Sequence, residues 1–214
     1  MSFTVCYKKN ILLLVLLFGW FISSAQTGKF RIGFQLGYVS RINSINLNPN
    51  HSFENIKNSN GWGFDLGFSG SYLFSEKFQM RFSPSTEFME DNFIFTKNGI
   101  SEEFTFGYSY LKLPVHIILT PFKNIPIGLV CGASGNLQIG KTNSRPSDKI
   151  KFKRNESFIE LGLNYMFKTK LCDFIPEVKY CFALTNEAGD NRTEYANAIK
   201  DIYKNKWEVT LYFR

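Results

Sequence analysis

The sequence has few of the residues on which common functional sites depend. It contains two histidines, His51 and His116, and four cysteines in 214 residues. The spacing of these residues does not resemble a zinc site, and the sequence has no glycine-rich phosphate loop or nucleophile motif. Because an isolated histidine is more often structural than catalytic, we predict no catalytic residue, no metal and no cofactor.

Long apolar runs are absent beyond the start of the chain. Lys8 and Lys9 precede the apolar run 11–22, and Ser23, Ser24 and Ala25 follow it. This order of charge, short apolar core and small residues is typical of a secretory signal peptide. We therefore predict a cleaved signal peptide over 1–25, a mature start near Gln26, and export. The alternatives are an uncleaved anchor or a buried helix. No later segment has the apolar length of a spanning helix.

The chain is basic, with a net charge of +7, but its lysines and arginines are not concentrated on one stripe. A nucleic-acid-binding surface requires such a stripe, so we predict no nucleic acid partner. The positive charge favours solubility and contact with anionic lipid headgroups instead.

Aromatic residues are abundant, at 17% of the chain, and they recur with the alternation of β-strands. In 154–167, Ile159, Leu161 and Leu163 share one face and Glu160 shares the other with polar or small residues. Side chains alternate across a strand, so each strand has an apolar face and a charged face. The same pattern predicts eight strands, over 30–38, 62–74, 78–88, 103–120, 125–139, 154–167, 173–184 and 206–213. In the fourth strand the apolar residues change parity near Tyr110, which suggests a bulge.

Long and short connections between these strands alternate. The long ones are 39–61, 89–102, 140–153 and 185–205, and the short ones are 75–77, 121–124 and 168–172. Outer-membrane barrels show this asymmetry, with short periplasmic turns and long external loops. We therefore predict an all-β fold for residues 26–214, an eight-stranded antiparallel up-and-down transmembrane β-barrel in the outer membrane. Aromatic girdles are expected at both ends of the strands, with Tyr38, Trp62 and Trp207 at the loop end and Phe30, Tyr72, Phe74, Phe167 and Phe213 at the turn end.

In such a barrel the charged faces point into the lumen. The predicted lumenal charge network comprises Arg31, Asp65, Arg81, Glu87, Lys112, Glu160, Glu177, Lys179 and Glu208. Buried charges of both signs are expected to pair, since an unpaired buried charge is costly. Eight strands leave room for little besides side chains, so we expect a plugged barrel and not a porin.

Three segments resemble the PorT-like outer-membrane β-barrel family of Bacteroidota. They are Tyr110-Leu111-Lys112-Leu113-Pro114, the run 153–163, and Phe174-Ile175-Pro176-Glu177-Val178-Lys179-Tyr180. The tail, with Leu184-Thr185-Asn186, 195–199 and a final aromatic strand, is also similar. The resemblance covers most of 26–214. It implies a role in type IX protein secretion and gliding, with secretion-system proteins as partners, and it provides no catalytic residues.

The predicted function is that of a non-enzymatic structural or accessory component of the cell envelope. Its expected partners are outer-membrane lipids and, during biogenesis, the barrel-assembly machinery. Two alternatives stay open. One is a ligand-binding or lipid-modifying barrel enzyme with its site in the lumen or loops, for which His116 is the candidate residue. The other is a soluble exported barrel of lipocalin type, whose apolar faces would point inward.

Overall fold

A computed structural model describes residues 28–122, 125–144, 155–170, 172–189 and 193–214, without the side chains of 58–59 and 141–144. The predicted signal peptide therefore lies outside the described residues. The described chain forms ten strand segments and one short helix, α1 (Glu194–Ala198). The strands are β1 (Phe30–Leu47), β2 (Asn55–Leu73), β3 (Phe78–Phe82), β4 (Ser85–Lys97), β5 (Ile100–Leu119), β6 (Ile127–Ser144), β7 (Asn155–Tyr165), β8 (Phe167–Lys168), β9 (Asp173–Ala183) and β10 (Ile199–Phe213).

The sheet is antiparallel and closes on itself, because β1 pairs with both β2 and β10. The ten segments occupy eight positions around the barrel. A break at Ser83 and Pro84 divides one position into β3 and β4, and Met166 separates β7 from β8. The prediction of an antiparallel up-and-down barrel is confirmed. Among the described residues, no helix is long and apolar enough to cross a bilayer.

The apolar faces of the strands point outward. On β2 the exposed fractions of Phe64, Leu66 and Phe68 are 49%, 57% and 56%. The adjacent Asp65 is 1% exposed. This distribution is that of a membrane barrel and is the reverse of a lipocalin-type barrel, so the soluble alternative is wrong.

Aromatic residues mark both edges of the apolar surface, as predicted. At the loop end Trp62 and Trp207 both pair with Ser40 of β1, so they lie on the two neighbouring strands near the same edge of the apolar surface. At the turn end Phe30 pairs with Tyr72. The ten residue steps from Trp62 to Tyr72 span about 33 Å of strand. A tilt of about 40° reduces this to about 25 Å, the height of an outer-membrane apolar band. We call this zone the belt.

The strands continue well beyond the belt on the loop side, and here the predicted boundaries were wrong. β1 extends to Leu47, β4 to Lys97, and β10 begins at Ile199, so much of the predicted loops 39–61, 89–102 and 185–205 is strand or helix. The predicted loop 89–102 is a tight hairpin, in which Asn98 and Gly99 have positive φ values of 50° and 73°. An Asn-Gly pair with positive φ is typical of a type I′ turn. We call this region above the belt the extension.

Polarity inverts in the extension. A cluster of buried apolar residues fills its interior and reaches the top of the belt. It comprises Val39, Phe53, Met89, Phe93, Phe95, Phe104, Phe106, Tyr108, Tyr110, Ala198, Ile199 and Ile202. The bulge predicted in this strand near Tyr110 is therefore wrong, because the even-numbered residues of β5 point inward all the way from Phe104 to Ile118. The register does shift between Ser109 and Tyr110, but the extra residue, Ile139, lies on β6.

Candidate functional site

The belt and the adjoining part of the extension enclose a closely paired set of charged side chains. Among the described residues, the buried basic side chains are Arg41, Arg81, Lys112, Lys179, Lys204, Lys206 and Arg214. The buried acidic side chains are Asp65, Glu87, Asp91, Glu156, Glu160, Glu177, Glu187 and Glu208. The two sets nearly balance, as the cost of burying an unpaired charge requires. Apart from Arg214, which lies at the turn-end mouth, we call these residues and His116 the ladder.

Glycines on inward-facing positions provide the space for these long side chains. A Cβ atom on Gly37 would lie 2.5 Å from Asp65 Oδ1, and one on Gly162 would lie 2.6 Å from Lys179 Cγ. A Cβ atom on Gly162 would also lie 2.4 Å from the backbone carbonyl oxygen of Val178, so this position requires glycine. At Gly37 a side chain would require the Asp65 carboxylate to move.

The lower part of the ladder, towards the turn end, is centred on Glu177. Arg81 Nη2 donates to both Glu177 carboxylate oxygens, at 2.6 and 2.8 Å. Asn164 Nδ2 donates to the same carboxylate at 3.1 Å. The Arg81 guanidinium also lies over the Tyr212 ring, 4.0 Å from its centroid. These contacts fix the β3, β7, β9 and β10 walls against one another.

The middle part of the ladder is centred on Glu208, which receives three ammonium groups. Lys179 Nζ lies 3.2 Å and Lys206 Nζ 3.1 Å from its carboxylate, and Lys112 donates to the same group. Lys206 also donates to Glu87 at 2.7 Å. Because each cation touches more than one carboxylate, the charges form a continuous network across the lumen.

The upper part of the ladder connects the belt to the extension through Arg41. Its guanidinium donates to Asp91 at 3.0 Å and to both oxygens of Glu156 at 3.1 Å. Lys204 lies 3.2 Å from Asp91 and 2.9 Å from Glu187. Glu187 belongs to the segment after β9, so this contact joins that segment to the upper end of the ladder.

The structure places eight of the nine predicted lumenal residues inside the barrel, each at most 3% exposed. Arg31 differs: it lies at the turn-end mouth, where its side chain is 27% exposed and 3.8 Å from Asp173. Sequence reasoning missed Arg41, Asp91, Glu187 and Lys204 because it assigned them to loops. The missed residues with a detectable signal are Glu156 and Lys206, which share the inward parity of Glu160 and Glu208.

His116 is a fully buried member of the ladder. Its Nε2 lies 2.7 Å from Glu160 Oε2, and its Nδ1 lies 3.3 Å from Arg81 Nη2. Lys179 Nζ is 3.4 Å from Nε2. Charged groups thus surround the ring on both nitrogens, which is the setting of a structural histidine in an ion-pair network. A Ser-His-acid arrangement would instead place a hydroxyl at one nitrogen.

Glu160, Cys181 and Glu208 are the described residues that come closest to a metal site. Their ligand atoms all lie within 4.8 Å of one another, and all three residues are buried. However, Lys179 Nζ lies 2.9 Å from Glu160 and 3.2 Å from Glu208. An ammonium group therefore already provides the positive charge that a metal would supply.

An open cavity lies at the turn-end mouth, and we call it the vestibule. Its volume is about 430 Å³. Arg31, Lys77 and Lys168 contribute basic groups to its lining, and Ile118 and Ile175 contribute apolar groups. Ile118 and Ile175 are 1% and 4% exposed, so they form its deep end. The ladder lies beyond them.

Sequence comparison assigns the chain to a family. Residues 24–189 match the family described as outer membrane protein beta-barrel domain. The chain therefore belongs to this family, and it is an outer-membrane protein, in agreement with the closed barrel and its apolar belt. Comparison with curated proteins gives no significant match.

Several solved outer-membrane barrels are similar at low levels. OprG of Pseudomonas aeruginosa is 12% identical, with a TM-score of 0.49 over 86% of this chain and 93% of OprG. Ail, the attachment invasion locus protein of Yersinia pestis, was solved with the heparin analogue sucrose octasulfate. It is 12% identical, with a TM-score of 0.41 over 85% of this chain and 96% of Ail. Similarities at these levels do not bear on function.

Proposed function

We propose that the protein is a closed, non-enzymatic structural or accessory component of the outer membrane. The observation that carries this proposal is the ladder, which fills the lumen from Glu177 to Glu187 with side chains that are almost completely buried. An eight-stranded barrel has an interior just wide enough for its own side chains. A water-filled path for solutes is not expected through such an interior.

The extension supports an accessory role. It raises a folded, aromatic-cored structure above the belt, where other envelope proteins or surface polymers can reach it. Seven residues of β1 lie beyond Ser40, which corresponds to roughly 18 Å of height at the tilt used above. A protein that only spanned the membrane would not need this second core.

The finer assignment, to type IX secretion, rests on the resemblance to PorT-like proteins. The charged residues of the matching segments that the structure describes all lie inside the barrel, and they are Lys112, Glu156, Glu160, Glu177 and Lys179. The shared pattern thus reflects how the barrel is built more than which partner it binds. We propose secretion-system proteins as partners on the basis of the resemblance alone.

Conductance in planar lipid bilayers tests the closed barrel. We expect no channel from the refolded mature protein. The variant Lys206→Ser/Glu208→Ser, which removes one charge of each sign from the ladder, is expected to show small discrete openings. Lys57→Ser/Glu103→Ser makes the same changes at exposed positions and is expected to stay silent. Stable channels in the unmodified protein would overturn the closed-barrel proposal.

Gene deletion in the source organism tests the accessory role separately. Loss of secreted type IX substrates or of gliding would support the secretion assignment. Normal secretion would refute that assignment and leave the closed barrel in place. A His116→Ala variant that is folded and restores function would support a non-enzymatic role, whereas loss of a measurable lipid modification would favour the enzyme alternative.

A further inference from the structure

The lining of the vestibule is basic at the opening and apolar at the deep end. Ile118 and Ile175 lie at its deep end, Met166 also lines it, and Lys77 and Lys168 lie on exposed segments at its opening. A volume of about 430 Å³ is within the range of small-molecule pockets. From this geometry we propose that the vestibule binds a single-chain anionic amphiphile, with its alkyl chain directed into the barrel and its carboxylate or phosphate at the opening.

The charges at the opening favour an anion. Three basic side chains, Arg31, Lys77 and Lys168, line the cavity, against one acidic side chain, Glu76. Lys77 lies in the turn before β3 and Lys168 on β8, so the two ammonium groups approach the opening from different sides of the barrel.

Asp173 does not neutralise this surplus. Arg31 Nη1 lies 3.8 Å and Arg214 Nη2 3.5 Å from the same carboxylate oxygen, so two guanidinium groups share one carboxylate. Burial lowers the pKa of Arg214 to about 10, and repulsion from the neighbouring Arg31 adds to this effect while Asp173 opposes it. An anionic headgroup at the opening would relieve this repulsion.

The ladder limits how far a ligand in the vestibule can enter the barrel. Asn164 lines the vestibule and donates to Glu177, whose carboxylate also binds Arg81. An alkyl chain that reaches Ile118 and Ile175 therefore meets the lower end of the ladder and cannot pass through it. The proposed role is binding at the periplasmic mouth, which is separate from transport and does not depend on the function proposed above.

The location fits a lipid-like ligand. The turn-end girdle, with Phe30, Tyr72, Phe74, Phe167 and Phe213, surrounds the barrel at the height of the opening. Such girdles lie at the headgroup level of the bilayer. An amphiphile at this height can arrive from the inner leaflet or from the periplasm, and its chemistry is the same in both cases.

Methyl NMR of isoleucine-labelled protein in nanodiscs tests the proposal directly. Decyl phosphate added in water is expected to shift the Ile118 and Ile175 methyl signals saturably, while the signals of Ile199 and Ile202 in the extension stay unchanged. Lysophosphatidylglycerol incorporated in the nanodisc supplies the same chemistry from the bilayer. Saturable shifts with either ligand support the proposal and identify the source, and the absence of shifts with both would overturn it.

Charge dependence separates the site from general partition into lipid. Lys77→Gln/Lys168→Gln is expected to weaken decyl phosphate binding roughly tenfold. Lys57→Gln/Lys200→Gln removes the same charge from exposed positions in the extension and is expected to leave binding unchanged. Equal weakening by the two variants, or equally tight binding of decyltrimethylammonium or decanol, would refute an anion-specific site.

A blocking variant checks the cavity itself. Thr120 lines the vestibule at the end of β5, and Thr120→Trp is expected to abolish the methyl shifts while the unboiled protein keeps its faster gel mobility. Unchanged binding in this folded variant would place the ligand outside the vestibule and overturn the proposal.

Discussion

The belt and the extension are built from the same strands with opposite polarity. In the belt, apolar side chains such as Leu66 point outward and charged ones such as Asp65 point inward. In the extension, Phe93 and Phe95 of β4 point inward, while Asn92 and Thr96 of the same strand point outward. Strand geometry does not change between the two regions, so the solvent outside each region determines which face must be apolar.

The comparison also explains how a barrel with a charged interior stays folded. In the belt, lipid covers the apolar faces and ion pairs satisfy the charges inside. In the extension, water covers the polar faces and aromatic packing fills the interior, as in a soluble protein. Arg41 lies at the junction, since it pairs with Glu156 and lies 5.7 Å from the centroid of the Tyr110 ring.

The largest loss of stability is expected from a substitution of Arg41, at the junction of the belt and the extension. Arg41→Met leaves Asp91 and Glu156 without their guanidinium partner and should lower the free energy of unfolding by about 3–5 kcal/mol. Urea unfolding in lipid vesicles measures the change. Lys57→Met, at an exposed position, should alter stability by less than about 0.5 kcal/mol. A small effect of Arg41→Met would mean that water reaches these carboxylates.

A core substitution tests whether the two regions unfold separately. Phe95 packs edge-on against Phe53, Phe104 and Tyr195 at centroid distances of 5.2, 5.6 and 5.2 Å. Phe95→Ala should cost about 3–5 kcal/mol and loosen only the extension. Hydrogen exchange should rise at 93–106, while heat-modifiable gel mobility persists. Phe68→Ala on the lipid face creates no internal cavity and serves as the control. Loss of the mobility shift in Phe95→Ala would show that the regions unfold as one unit.

An arginine placed on the outer surface should destabilise the belt, which lipid surrounds, more than the extension, which water surrounds. Leu66 lies about midway between the girdles, and Leu66→Arg should destabilise the barrel by about 2–4 kcal/mol. Asn46 is exposed on β1 in the extension, and Asn46→Arg should change stability by about 0.5 kcal/mol or less. Equal effects in vesicle unfolding experiments would contradict the assigned position of the bilayer.

A pH-dependent effect is expected at the top of the ladder. Burial, with a contribution from nearby Glu156, raises the pKa of Glu187 to about 7, although Lys204 opposes the shift. Glu187 therefore binds a proton more tightly when its segment is docked than when the segment is free. Docking should weaken as pH rises from about 4.5 to 7. Hydrogen exchange at 185–189, corrected for intrinsic rates, measures this change. Glu187→Gln should remove the pH dependence, and its persistence would assign the titration to another group.

The smallest expected effect concerns the β4–β5 hairpin. Gly99 has a φ of +73°, so Gly99→Ala should cost about 1 kcal/mol. Gly135 has open space around the position of a Cβ atom, and Gly135→Ala should be near neutral. Comparable unfolding midpoints for the two variants would show that the hairpin does not contribute to the stability of the extension.

The order of strands, the outward apolar faces and the girdles could be predicted from the sequence, because period-2 alternation is local. Residues such as Leu161 and Leu163 indicate their face through their neighbours alone. The strands that precede the three short turns also end near the predicted positions, β2 at Leu73, β5 at Leu119 and β8 at Lys168. The inward parity of Glu160, Glu177 and Glu208 follows from the same alternation.

The extension could not be predicted in the same way. In β5 the apolar residues move from even positions, such as Phe106, to odd positions, such as Leu113, and this resembles a bulge when one solvent is assumed throughout. Only the tertiary structure decides that the strand is continuous and crosses from water into lipid. It also decides the ion pairs, because Arg41 and Glu156 are 115 positions apart and meet only when the barrel closes.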